Sequence, residues 1–212
     1  MRIEDFHQIH KGETVLLVGN GPNLLLTPPE WFDYPSIASN TICKYQGWKP
    51  SYYTAVDSRV MRENGAEIDE IYKDIPCFIP TPNLDKWQGE NKVRFYHRPG
   101  PLWPREQPLW PRDFLKDPGV TYGCIMHIQI QLAYFMGFTT MLFIGMEHKP
   151  QKIKSHFWGW DDHDKDTAPV EDWLEGHRIL RQGMSGVTML NISQDTYVPE
   201  DILPRANWKD YL

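Results

Sequence analysis

Short apolar runs that stop abruptly on glycine or a carboxylate constrain this chain more than any other feature. Thr14 to Val18 (TVLLV) ends in Gly19-Asn20-Gly21-Pro22, Tyr52 to Val56 (YYTAV) ends at Asp57, and Met141 to Ile144 (MLFI) ends at Gly145. A continuous apolar run this short, bounded by turn residues, is the mark of a strand buried on both faces, as in parallel sheets. Parallel neighbours require long crossovers, usually helical. Weaker strands are expected at residues 36–39, 75–79, 93–96 and 187–192, and helices at 42–46, 58–73, 121–136 and near 169–182. Asn64-Gly65 is a candidate break in the second of these helices. In the third, Ile125, Ile128, Leu132 and Phe135 share one helical face, although residues 128–132 also alternate with period two. Its length and Gly137 at its end favour the helix. The alternation predicts an α/β, Rossmann-like domain: a mostly parallel sheet with helices on both faces over residues 1–193, followed by an irregular tail at 194–212.

Composition bounds the function. With 41% apolar and 24% charged residues the 212-residue chain supports a sizeable core. A net charge of −6 argues against a general nucleic-acid binder, which presents a basic face. Cys43, Cys77 and Cys124 are odd in number and far apart, so no disulfide framework or CxxC metal pair is expected and a reducing compartment fits. The opening MRIEDFHQIHKGE lacks the apolar stretch of a signal peptide, and no run approaches a membrane span. A cytoplasmic protein without a membrane span is the expectation.

Eighteen prolines and nine tryptophans point to long structured loops. Between 99 and 118 a near-duplication, PLWPREQ then PLWPRDF, is too short for a solenoid and reads as a Trp/Pro-rich lid loop. A second insertion is expected near 146–168. Residues 92–116 carry a local charge of +4, suited to clamping a phosphate or carboxylate, or simply to a solvated loop anchored by tryptophan. Asp161, Asp162, His163 and Asp164 offer ligands to Mg²⁺, or a solvated acidic loop ahead of a helix.

Ligands of open parallel sheets bind beyond the C-terminal strand ends. Four such ends carry polar or glycine groups here: Gly19 to Pro22, Asn40, Asp57, and Gly145-Met146-Glu147. The third glycine of a GxGxxG fingerprint is replaced by Leu24, which argues against nicotinamide or flavin. A strand-to-helix turn without ligand is the plain alternative.

Taken in order, VLLVGNGPNL, GWKPSYYTAVDSRV, GVTYGCIMHIQIQLAYFMGFTTMLFIGMEHK and SHFWG resemble the motifs of the MptE-like family. That family includes the motility-associated-factor flagellin glycosyltransferases and archaeal pterin diphosphokinases. The same order is similar to that of the bacterial CMP-dependent sialyltransferases. The resemblance spans roughly residues 14–160 and implies a nucleotide-binding domain. It implies a phosphate or ribose loop at Gly19, Asn20, Gly21 and Pro22, with Asn23 replacing a serine, and nucleotide contacts at Asn40 and Asp57. It further implies a phosphate-binding turn at Thr121, Tyr122 and Gly123, where Tyr122 is bulkier than the family residue. Glu147 stands at the acidic position after the later strand. His156 matches a downstream histidine, while Trp160 occupies the place of the sialyltransferase base, leaving His156 or His163 to take the proton.

The activity implied is transfer of a sugar from a nucleotide-activated donor, CMP-linked in the leading reading, to a hydroxyl of a glycan or protein acceptor, with no cofactor required. Alternatives are a Mg²⁺-dependent pterin diphosphokinase-like enzyme and a non-catalytic nucleotide-binding or interaction protein. The motifs leave a homo-oligomer open.

Overall fold

The computed structural model describes residues 1–81, 89–98, 114–116, 119–121, 123–148, 156–159 and 170–212. Seven strands form one all-parallel sheet: β1 (Thr14–Val18), β2 (Ser36–Ser39), β3 (Tyr52–Thr54), β4 (Cys77–Pro80), β5 (Lys92–Phe95), β8 (Thr140–Ile144) and β9 (Thr188–Asn191). Their order is β5-β4-β3-β2-β1-β8-β9. Two-residue strands β6 (His97–Arg98) and β7 (Gly119–Val120) pair separately.

Period-two alternation sorts the strand side chains between two layers. Val15, Leu17, Ile37, Phe78 and Phe143 face the layer of α2 (Met126–Met136) and α3 (Val170–Gly183). Leu16, Val18, Ala38, Tyr53, Ile79 and Ile144 face the other layer, where α1 (Ser58–Ile71) contributes Val60, Met61 and Ile68. The fold is therefore the expected Rossmann-like α/β arrangement with helices on both faces.

Several boundaries differ from the sequence expectation for identifiable reasons. Helix α1 runs through Asn64-Gly65 without a break, because glycine costs a helix only about 1 kcal/mol and the apolar stripe continues past it. Residues 40–44 form a 3₁₀ turn rather than a helix at 42–46. Helix α2 starts at Met126 rather than Thr121. Gly123, at φ +77°, takes the chain out of helical conformation, and residues 119–120 are spent on the β6–β7 pair. At its other end Gly137 adopts φ +95° and closes the helix as expected. The one-sided stripe read for this helix is too narrow. His127, Gln129 and Gln131 are as buried as the isoleucines between them, so α2 is a central helix enclosed on all sides.

The tail at 194–212 holds no strand, only a 3₁₀ turn at Trp208–Tyr211, yet it is packed. Val198, Ile202 and Leu203 join the core, and Asn191 of β9 exchanges main-chain hydrogen bonds with Pro204 and Ala206. Most of the Trp/Pro-rich loop and of the second insertion lies outside the described residues. Within the Trp/Pro-rich loop Phe114 is described, buried against Phe95 and Phe135 at centroid distances of 5.5 and 5.7 Å. No described helix is long and apolar enough to cross a membrane.

Candidate functional site

Successive strands are added on one side of β1 as far as β5 and then on the other side from β8, so the switch in direction falls between β1 and β8. The loops leaving these two strands touch backbone to backbone. Gly19 N–H donates to Ile144 O at 2.9 Å and Gly21 N–H to Gly145 O at 2.8 Å. A Cβ on Gly19 would overlap the Gly145 carbonyl, and one on Gly21 would overlap the Glu147 carboxylate. Gly145 itself holds φ +62° with Leu24 and the Gly19 carbonyl pressed against it. These glycines are thus explained by the close approach of two chain segments.

Glu147 is 3% exposed, and its Oε1 accepts the Asn23 N–H at 2.5 Å. Asn23, also buried, donates its amide to the Asp195 carbonyl. Both side chains turn inward and bind the loop to its neighbours. The chain's own carboxylate thereby occupies an N–H of the glycine loop, a place where a ligand anion would otherwise sit.

One strand away, amide side chains gather around Ser39 at the end of β2. Asn20 Nδ2 donates to Ser39 O at 3.1 Å, and Gln129 Nε2 donates to Ser39 Oγ at 2.8 Å and Val18 O at 3.1 Å. Asn40 follows at φ +53°, a left-handed conformation that asparagine tolerates better than most residues, and its carbonyl accepts the Tyr53 hydroxyl at 2.8 Å. The amide oxygens of Asn20, Asn40 and Gln129 are buried and have no hydrogen-bond partner among the described residues. Gln129 was not read as a site residue; a glutamine flanked by Ile128 and Ile130 in an apolar helix was the available signal. Asp57 lies on the same sheet edge beyond β3, where it caps α1 by accepting Arg59 N–H at 2.7 Å, with the Arg59 guanidinium 3.7 Å away.

His156 is brought to this edge from far along the chain. The neighbouring Phe157 N–H donates to Asn20 O at 2.9 Å, and residues 156 and 159 close a turn through two main-chain hydrogen bonds. The His156 ring stacks on Trp158 at 4.3 Å, Lys44 Nζ sits 4.8 Å from the Trp158 ring, and Phe157 packs on Tyr45. Thr121 lies instead beside the β6–β7 pair, its Oγ1 3.4 Å from His97 Nε2, and burial pushes the His97 pKa down to about 4. Thr121 and Gly123 are separated from the first turn of α2 by Cys124 and Ile125. Tyr122, Trp160, His163 and the acids at 161, 162 and 164 lie outside the described residues.

The arrangement is a group of neutral hydrogen-bonding amides at the C-terminal ends of β1 and β2, with a histidine-bearing turn hydrogen-bonded to it, on the edge where open parallel sheets bind ligands. Comparison with known proteins adds no relative: no family model matches the chain, and no curated protein matches it.

Proposed function

We propose that the β1–β2 edge binds the nucleoside of an activated sugar and that the protein transfers that sugar to an acceptor hydroxyl. The observation carrying this reading is the set of unpartnered amide oxygens around Ser39. A buried acceptor left unmade costs about 1–3 kcal/mol, so these oxygens favour a ligand rich in donors, such as ribose hydroxyls or the exocyclic amine of a base. The sequence resemblance to CMP-dependent sialyltransferases selects cytidine among the bases. The Glu147 carboxylate at the glycine loop disfavours a highly charged di- or triphosphate there, which again suits a monophosphate-linked donor.

In this reading the acceptor oxygen attacks the anomeric carbon as the bond from that carbon to the phosphate oxygen breaks. The acceptor proton passes to His156, whose turn is tied to Asn20. Histidine suits this role because imidazole titrates near neutrality.

The test is a thermal-shift and calorimetric panel with CMP, CDP, UDP, GDP and ATP, with and without Mg²⁺. CMP should stabilise the protein without metal, and Asn20→Ala and Asn40→Ala should each abolish that shift. His156→Ala should retain CMP binding and lose transfer. A response confined to ATP with Mg²⁺ would replace this reading with a diphosphokinase, and silence across the panel would overturn it.

A further inference from the structure

Between α2, α3 and the segment after β8 lies a group of metal-capable side chains that the nucleotide reading does not use. Cys124 and His127 stand three residues apart at the start of α2, His177 lies within α3, and His148 follows Glu147. One donor atom from each of Cys124, His127 and His177 falls within 4.8 Å of the others. His148 Nε2 is 2.8 Å from His177 Nε2, with the two rings stacked at 5.1 Å, and the His127 ring meets His177 edge-on at 4.6 Å. Three segments distant in sequence therefore converge on one point.

Three further observations distinguish this group from imidazoles that merely fill a core. His177 is 1% exposed, and its Nδ1 has no hydrogen-bond partner among the described residues, an expensive state for a buried nitrogen. His127 Nε2 lies 3.1 Å from the Trp173 carbonyl; donation there puts the ring's lone pair on Nδ1, the outer-shell arrangement that orients ligating histidines. His148 holds φ +50°, a left-handed conformation uncommon outside glycine though histidine adopts it more readily than most, and its ring reaches His177 from that backbone.

We infer that Cys124, His127 and His177 form a binding site for a divalent transition-metal ion of the zinc class, His177 offering its unpartnered Nδ1 and His148 supporting that ring through its other nitrogen. An ion at the centre of a triangle with 4.8 Å edges would lie about 2.8 Å from each corner, so a contraction of roughly 0.5–0.8 Å reaches the ~2.0–2.3 Å bonds of zinc to nitrogen and sulfur. The His148–His177 hydrogen bond then serves as the outer-shell contact that orients the His177 ring. One thiolate and imidazoles select Zn²⁺ or Co²⁺ over the oxygen-seeking Mg²⁺. Binding through the Cys124 sulfur releases the thiol proton, since the thiolate is the ligand. The bound ion would tie α2 to α3 and to the segment carrying Glu147. This site stands independently of the nucleotide reading, since none of its four residues belongs to the Asn20–Asn40 edge.

The experiment is titration of chelator-treated, dialysed full-length protein with Co²⁺, followed by displacement with Zn²⁺. The expected result is one Co²⁺ per chain with the visible bands of tetrahedral cobalt and a thiolate-to-cobalt charge-transfer band, all lost on adding Zn²⁺. Cys124→Ser should remove the charge-transfer band, Cys43→Ser should leave it, and His148→Ala should weaken binding by roughly 10- to 100-fold, the range seen when supporting groups are lost. Absence of the charge-transfer band in the wild-type protein, or its survival in Cys124→Ser, overturns the inference. Should a histidine variant fail to fold, the wild-type spectrum and Cys124→Ser, whose side chain is only partly buried, still decide the matter.

Discussion

The junction of the β1 and β8 loops and the cysteine–histidine group beside it both bury polar atoms, but they settle them differently. At the junction, carbonyls and a carboxylate take up the N–H groups of Gly19, Gly21 and Asn23, and the glycines leave no room between the segments. At the cysteine–histidine group, neutral rings face one another, and one nitrogen is left without a hydrogen bond. The first region resembles a closed joint in its main chain, with the chain's own oxygens on the Gly19, Gly21 and Asn23 N–H groups, although the Asn23 side-chain oxygen has no partner among the described residues. The second leaves the buried His177 Nδ1 without a partner among the described residues, and that nitrogen is what the proposed cation would take. Residues 147 and 148 are consecutive and belong one to each, so whatever moves the second region pulls on the first.

This contrast is open to direct attack. The largest effect is expected from Gly21→Ala: its methyl would overlap the Glu147 carboxylate and force the loops apart, costing more than about 3 kcal/mol in denaturant melts. A near-wild-type melt would mean that the joint is not closed. Glu147→Ala should cost about 1–3 kcal/mol by leaving the Asn23 N–H buried and unmade, while Glu147→Gln, which keeps an acceptor oxygen, should cost less. If Gln and Ala are equally harmful, charge rather than hydrogen bonding secures the joint.

His97, outside both regions, calibrates what burial alone does to an imidazole. Its pKa in the fold is about 4, against roughly 6.5 for an unfolded histidine. The unfolded chain therefore binds the proton first, and stability should decline as pH falls from about 6.5 towards 4, then level for this group. His97→Gln should flatten that part of the pH–stability profile; an unchanged profile would assign the slope to other groups. The smallest stability effect is expected at Asn40→Gly. Glycine suits the left-handed backbone, so the change should stay within about 1 kcal/mol of wild type while removing an oxygen offered to the nucleoside. CMP binding that survives this substitution would take Asn40 out of the proposed site.

Much of the fold was legible in advance because its signals are local. TVLLV and MLFI lie within buried strands, only the first three residues of YYTAV form another, and Gly137 closed a helix where a left-handed residue was needed. Asn20, Asn40 and Asp57 could be assigned to one edge as soon as the strands were taken as parallel. The start of α2 was less legible, since a glycine turn and a two-residue strand leave little trace in apolar periodicity. Gln129 was overlooked for a related reason: helical spacing identifies an apolar face, while enclosure of the opposite face depends on what the rest of the chain lays over it.

The amino-acid sequence by itself determined the alternation of strands and helices, and with it the edge on which polar loop residues gather, because periodicity and turn chemistry act over a few neighbouring residues. Only the tertiary structure decided that Glu147 would reach back to Asn23, that the His156 turn would rest on Asn20, and that Cys124, His127, His148 and His177 would meet. Those contacts join residues up to 137 positions apart, and their existence depends on the order in which strands are added to the sheet, which no local pattern encodes.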